Sequence, residues 1–149
     1  YKGEQIAGVS YAPALGTLWR ALRGDGAYRD DRRIRVSDEG RLSAATVCYS
    51  GSKFFRDAGR EEVFRQLNLR CERTRGLGDF YGFVLVAQGS CEAMVDLGVN
   101  PWDVVALKPI VEEAGGAFSD WSGAPRVDVP DVVASNGKVH AEAVAVLRP

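Results

Sequence analysis

Residues 95–117 read V-D-L-G-V-N-P-W-D-V-V-A-L-K-P-I-V-E-E-A-G-G-A, and this stretch decides how the rest of the chain is organised. An apolar run ends at Leu97 and a glycine follows. Asn100 then offers a side-chain oxygen for an N-cap, Pro101 has the fixed φ that suits the first helical position, and Asp103 falls at the third. Val104, Leu107, Val111 and Ala114 recur at three- and four-residue spacing, the pattern of a helix with one buried stripe. Gly115 and Gly116 provide the left-handed stop. The spacing therefore predicts one helix over residues 101–114, kinked where Pro109 removes a backbone hydrogen bond. A carboxylate in the first turn is favoured by the helix dipole, and the loop that leads from a strand into such a helix is where α/β domains collect ligands. Asp103 is thus either a capping carboxylate or one oxygen donor of a divalent-ion site. Spacing alone does not choose between them, because a hard cation needs several oxygen ligands.

Outward from this stretch, residues 46–49, 93–97 and 132–135 form short apolar runs, and helical periodicity marks residues 59–67, 79–88 and 138–147. Strands alternating with helices of this length indicate an α/β layered domain with a partly parallel sheet. The first third has a different texture. Residues 6–11, 15–22 and 34–37 are apolar-rich or alternating, and the turn Arg23-Gly24-Asp25-Gly26 carries the glycines that a hairpin needs, so antiparallel sheet is expected there. The polar residues 38–43 separate the two textures, which places residues 1–40 and 41–149 in different units.

Composition narrows the function. The 149 residues are 46% hydrophobic and 26% charged with a net charge of -1, enough for a core and without the basic field that nucleic acid attracts. The arginines of residues 29–35 alternate with Asp30 and Asp31, so their field largely cancels. No apolar run approaches the roughly 20 residues that span a bilayer. Cys48, Cys71 and Cys91 are odd in number and widely spaced, which argues against a disulfide framework and a structural zinc site and reads as reduced thiols in a cytoplasmic protein. The chain opens on Tyr1 rather than Met, so an upstream segment is expected.

The segment Trp102-Asp103 through Ile110-Val111-Glu112-Glu113-Ala114-Gly115-Gly116 closely resembles the second signature of the inositol monophosphatase family. In the same order, residues 8–13 and 21–27 resemble its sheet segment, Arg75-Gly76-Leu77-Gly78-Asp79 the start of its substrate-side helix, and Ala134-Ser135-Asn136-Gly137 the strand end before its last helix. The resemblance implies the layered sugar-phosphatase (inositol monophosphatase-like) α/β fold. Residues 41–149 would be its C-terminal α/β domain, and residues 1–40 a remnant of its N-terminal antiparallel sheet. It implies hydrolysis of a small phosphate ester with Mg²⁺, in a cytoplasmic homodimer that engages neither nucleic acid nor a membrane. Asp103 would be the ligand to Mg²⁺, and Gly78, Asp79, Asp96 and Asp103 would line the substrate pocket. The family's D-P-[IL]-D-G-T segment and its earlier Glu have no counterpart here, so these residues are expected to be a fragment without the main metal-binding motif. The isolated chain is then expected to be inactive, and no general base is assigned.

Gly78-Asp79, followed by Phe80-Tyr81-Gly82, resembles the histidinol-phosphate phosphatases more than the inositol enzymes, and Asp96 stands where the latter carry a longer Glu. Asp79 and Asp96 together would balance a cationic amine, which makes histidinol phosphate the expected substrate and histidine biosynthesis the expected setting. An inositol phosphate is the alternative, and a catalytically dead fragment serving only binding or assembly is another. Asp79 read bottom-up is also an ordinary helix cap. A bisphosphate nucleotidase or fructose bisphosphatase activity would need basic residues for a second phosphate, and the sequence shows no basic cluster near Asp79 or Asp103. The remaining polar and aromatic residues take structural readings. Ser50-Gly51-Ser52 closes a strand and reads as a turn, with an approach to the substrate as the alternative, and Glu112 and Glu113 are solvated. His140 packs or lies on the surface, and Tyr11, Trp19, Phe54, Phe118 and Trp121 belong to a core or interface.

Overall fold

A computed structural model describes residues 3–148. Tyr1, Lys2 and Pro149, at the outer ends of the two expected units, lie outside the described residues. The chain begins with an antiparallel meander of β1 (Ala7–Ala12), β2 (Thr17–Leu22), β3 (Gly26–Arg29) and β4 (Arg32–Ile34), hydrogen-bonded in that order. Period-two alternation sends Trp19, Ala21 and Ala27 to the buried face, and leaves Val9, Tyr11 and Leu22 on the other. Gly24 and Gly26 adopt φ of 81° and 95° at the β2–β3 turn, a conformation that glycine takes at little cost. The ladder stops at Ile34, short of the strand expected over residues 34–37. The Val36 amide instead donates to the Ala114 carbonyl at 3.1 Å, which fastens this segment to a helix end.

The remainder contains β5 (Thr46–Tyr49), α1 (Ser52–Asp57), α2 (Glu61–Arg70), β6 (Arg73–Gly76), α3 (Asp79–Ala87) and β7 (Ala93–Leu97). These are followed by α4 (Pro101–Val104), α5 (Leu107–Glu113), β8 (Ala117–Asp120), β9 (Asp131–Ser135) and α6 (His140–Leu147). The strands form one mixed sheet in the order β6-β5-β7-β9-β8. β5 pairs in parallel with β6 and β7, whereas β9 is antiparallel to both β7 and β8. Alternation sorts its side chains. Cys48, Met94, Val132 and Ala134 join an apolar cluster with Phe83, Ile110, Val111 and the Trp19 face of the first sheet. Val47, Ala93, Val95 and Val133 join another with Phe55, Leu67, Trp121 and Leu147. The layers therefore run first sheet, α3 and α5, second sheet, then α1, α2 and α6.

The single kinked helix expected over residues 101–114 is two helices. The Val105 N–H still donates to the Pro101 carbonyl at 2.9 Å, the ladder is interrupted after it, and the Ala106 carbonyl lies against Gly8 of β1, where a side chain would collide with it. Pro109 then falls at the third residue of α5. With no N–H, Pro109 cannot donate to the Val105 carbonyl four residues earlier, and the interruption falls at that point, as a break between two helices rather than a bend within one.

Candidate functional site

Because β5, β6 and β7 run in parallel, their carboxyl ends at Tyr49, Gly76 and Leu97 open on the same edge of the sheet. The segments that leave these ends converge on a cleft of about 360 Å³. Asp79, Asp96 and Asp103 all line it, together with Ser50, Phe54, Phe80, Phe83 and Gly98, and the lining includes no Lys, Arg or His. Gly78 does not line the cleft but sets its shape: a Cβ there would stand 2.9 Å from the Ser50 Cα and 3.1 Å from the Ser50 carbonyl, so only glycine lets the two strand-end loops meet.

Asp96 lies on the same face of β7 as Met94 and is only 4% exposed. Burial raises its carboxyl pKa most strongly, and repulsion from Asp79 and Asp103 raises it further; the Leu97 N–H, at 2.8 Å from Oδ1, works the other way. Ser50 stands close enough to favour the ionised form as well, yet no atom meets its buried Oγ at hydrogen-bonding geometry.

Asp79 opens α3 with φ of 57°, a left-handed conformation that few residues other than glycine adopt and that Asp tolerates better than most. It is one of two described non-glycine residues with positive φ, and it sits at the cleft mouth. Gly82, one turn on, has no room for a side chain beside Met94 and the Leu77 carbonyl, so α3 is pressed close to β7 and its start is fixed.

Asp103 holds the third position of α4, behind Asn100 and Pro101 as the sequence reading has it. Its Oδ2 accepts the Asn100 backbone N–H at 2.9 Å, leaving Oδ1 without a partner among the described residues. Three carboxylates offer the hard oxygen donors that Mg²⁺ takes, which suits the cleft to such an ion. No three His, Cys, Asp or Glu among the described residues stand close enough together to enclose one. Asp103 can supply one ligand and leaves most of a coordination shell to be filled from elsewhere.

Other readings change. Of the two places read for Phe54, core or interface, the core is excluded: it is 49% exposed and lines the cleft. Tyr11 is exposed too, whereas Trp19, Phe118 and Trp121 are buried. Ser50, read as a turn residue, lines the cleft. Glu113 is not a solvated residue of α5. Its carboxylate accepts the Gly24 and Gly26 N–H groups, each at 3.1 Å. Among these only Ser50 left a trace in the sequence, through its place at the end of an apolar run.

A family model described as the inositol monophosphatase family matches residues 1–149. The histidinol-phosphatase of Chlorobaculum parvum is 36% identical over 147 residues, which cover 98% of this chain and 57% of that protein. The histidinol-phosphatase of Streptomyces coelicolor is 34% identical, with 97% and 56% covered. Among solved structures, an IMPase of Thermotoga maritima superposes with a TM-score of 0.87 at 33% identity, over 97% of this chain and 56% of that one. The chain spans a little over half the length of the curated relatives it matches.

Proposed function

Because the chain belongs to the inositol monophosphatase family, we propose that the protein these residues come from is a Mg²⁺-dependent phosphomonoesterase acting on histidinol phosphate. The observation that carries the substrate is the cleft itself. Its polar side chains are Asp79, Asp96 and Asp103 with Ser50, and no Lys, Arg or His among the described residues lines it. Such a subsite suits an alcohol that brings its own positive charge, as an amine does, better than an uncharged polyol. The similarity to two histidinol-phosphatases supports the same choice.

In this reading Asp103 offers Oδ1 to the ion while Oδ2 keeps the helix entrance closed. When bound, Mg²⁺ supplies the charge that polarises a phosphate and lowers the pKa of a coordinated water. Asp96, at the cleft floor, is poised to hold the substrate ammonium, because an approaching cation relieves the repulsion it feels from Asp79 and Asp103. Asp79, exposed at the mouth, orients the same group. Since these carboxylates do not complete a metal shell, the 149 residues alone are expected to show no Mg²⁺-dependent turnover. A cytoplasmic homodimer completes the proposal, which sedimentation of a full-length parent would check.

The test is a comparison of kcat/KM for histidinol phosphate and inositol 1-phosphate in a full-length parent with Mg²⁺. Preference for histidinol phosphate by at least about ten-fold, the worth of one charge-assisted contact, is expected. Preference for the inositol ester would overturn the reading and favour the alternative that the Thermotoga maritima IMPase supports.

A further inference from the structure

Phe54 occupies a position that packing alone does not explain. It belongs to α1, which leaves the end of β5 and is only six residues long. Its neighbour Phe55 is fully buried, stacked on Trp121 at 5.8 Å and tilted against Phe64 at 4.9 Å, so the rotation of this short helix is fixed by that anchor. Successive helical side chains diverge by about 100°, and the anchor turns Phe54 away from the core and into the cleft. There one ring edge rests on Gly51, whose Cβ would lie 3.3 Å from Cδ2, and the other approaches Gly98, whose Cβ would lie 3.5 Å from Cδ1. The ring thus bridges the loops that follow β5 and β7.

The other aromatics of the cleft are already engaged. Phe80 makes edge contacts with Trp19 and Tyr81, and Phe83 stacks on Phe118. Among the described residues Phe54 makes no such ring contact, and half of it remains open to solvent. An open aromatic ring in one cleft with three carboxylates is suited to a flat group that carries positive charge, since the ring face attracts cations and the carboxylates balance them.

We propose that Phe54 is a specificity-determining residue, its ring stacking on the flat imidazole of the leaving alcohol while Asp79 and Asp96, in the same cleft, hold the ammonium. The assignment rests on the substrate reading above and extends it to a residue that binds the alcohol rather than the phosphate. A small acyclic alcohol such as glycerol has no flat group to stack on such a platform, so Phe54 discriminates between alcohols.

The experiment uses a full-length parent with Phe54→Ala, Phe54→Leu and Phe54→Tyr. The ratio of kcat/KM for histidinol phosphate to that for glycerol 2-phosphate is expected to fall about ten-fold in the Ala variant, with the loss in KM rather than kcat. Tyr restores the ratio and Leu does not, because Leu fills the space without a π face. A ratio unchanged in Ala, or restored equally by Leu and Tyr, would overturn the assignment. Calorimetric titration with histidinol, which has no phosphate, separates the two claims. About ten-fold weaker binding by Phe54→Ala upholds the role of the ring even if the parent fails to hydrolyse histidinol phosphate, and equal binding refutes that role even if it succeeds.

Discussion

The Asp103 carboxylate accepts the backbone N–H of Asn100 at 2.9 Å, so the side chain proposed to hold the ion also closes the helix that presents it. The two oxygens divide these roles, with Oδ2 serving the cap and Oδ1 left to the cleft. Asp103→Asn keeps an acceptor for the cap but loses the negative charge. In a full-length parent kcat/KM should fall by about 100-fold or more. Stability should change by less than about 1 kcal/mol, whereas Asp103→Ala should cost about 1 kcal/mol through the lost cap. Steady-state rates and urea melts on the two variants check this. A large stability loss in Asp103→Asn would show that the charge is needed by the fold.

Asp96 carries the opposite balance. Its folded-state pKa is raised, first by burial and then by Asp79 and Asp103. The folded protein therefore holds the Asp96 proton more tightly than the unfolded chain does. The stability this group contributes is full below the ordinary carboxylate range, near pH 3.9, and is lost as pH rises through the folded-state value. Asp96→Asn removes the penalty at neutral pH. Its amide oxygen can still accept the Leu97 N–H, and its NH₂ can donate to the unpartnered Ser50 Oγ. Tm at pH 7 should rise by about 2–4 °C, what 1 kcal/mol is worth at this chain length, and the gain should vanish near pH 4. Scanning calorimetry at the two pH values tests it.

The same contrast explains how much was legible in the sequence. The runs at residues 46–49 and 93–97 match β5 and β7 residue for residue, because a strand buried on both faces reads as a continuous apolar stretch. The entrance Asn100-Pro101-Asp103 was legible because capping is local chemistry. β6 was missed because it is an edge strand whose Arg73-Thr74-Arg75-Gly76 buries nothing. α1 is one short turn-and-a-half, and β8 hides Ser119 and Asp120 among its buried residues, so neither shows a period. The break between α4 and α5 falls at the Val105 carbonyl that Pro109 cannot reach with a hydrogen bond, whereas the close approach of Gly8 to Ala106, about a hundred residues away in sequence, leaves no local pattern. Phe54 and Glu113 follow the same rule: their roles are set by partners distant in sequence, on which local periodicity is silent.

His140 bridges two hydroxyls in a way that selects the tautomer of its neutral ring. The Ser119 hydroxyl donates to the Asp120 carbonyl at 2.7 Å, so at 2.9 Å the His140 Nε2–H must donate to Ser119 Oγ. In the neutral ring Nδ1, 2.9 Å from Ser135 Oγ, then accepts. Burial lowers the His140 pKa in agreement with a neutral ring. For a depressed value, stability is fully present above the unfolded pKa near 6.5 and is lost as pH falls through the folded-state value. Tm should therefore drop on going from pH 7 to pH 5. His140→Gln should be less stable than the parent sequence at pH 7 but show a flatter pH profile over that window. Equal slopes in the two melts would remove His140 as the cause.

Glu113 ties the end of α5 to the β2–β3 turn by accepting the Gly24 and Gly26 N–H groups. Both glycines have positive φ, and their N–H groups point at one carboxylate from 87 to 89 residues away in sequence, which makes this a link between the first sheet and the layer that carries Asp103. A charged acceptor on such a turn is worth about 1.5–3 kcal/mol. Glu113→Ala should cost stability at the lower end of that range, since water reaches the site, and Glu113→Gln should cost less because one acceptor oxygen remains. If the link also holds α5 in register with α4, the alanine variant of a full-length parent should bind Mg²⁺ more weakly through Asp103 while the glutamine variant does not. Urea melts paired with a Mg²⁺ titration of activity separate the two effects. A Glu113→Ala protein that loses stability yet keeps the parental Mg²⁺ dependence would confine the role of this carboxylate to the turn.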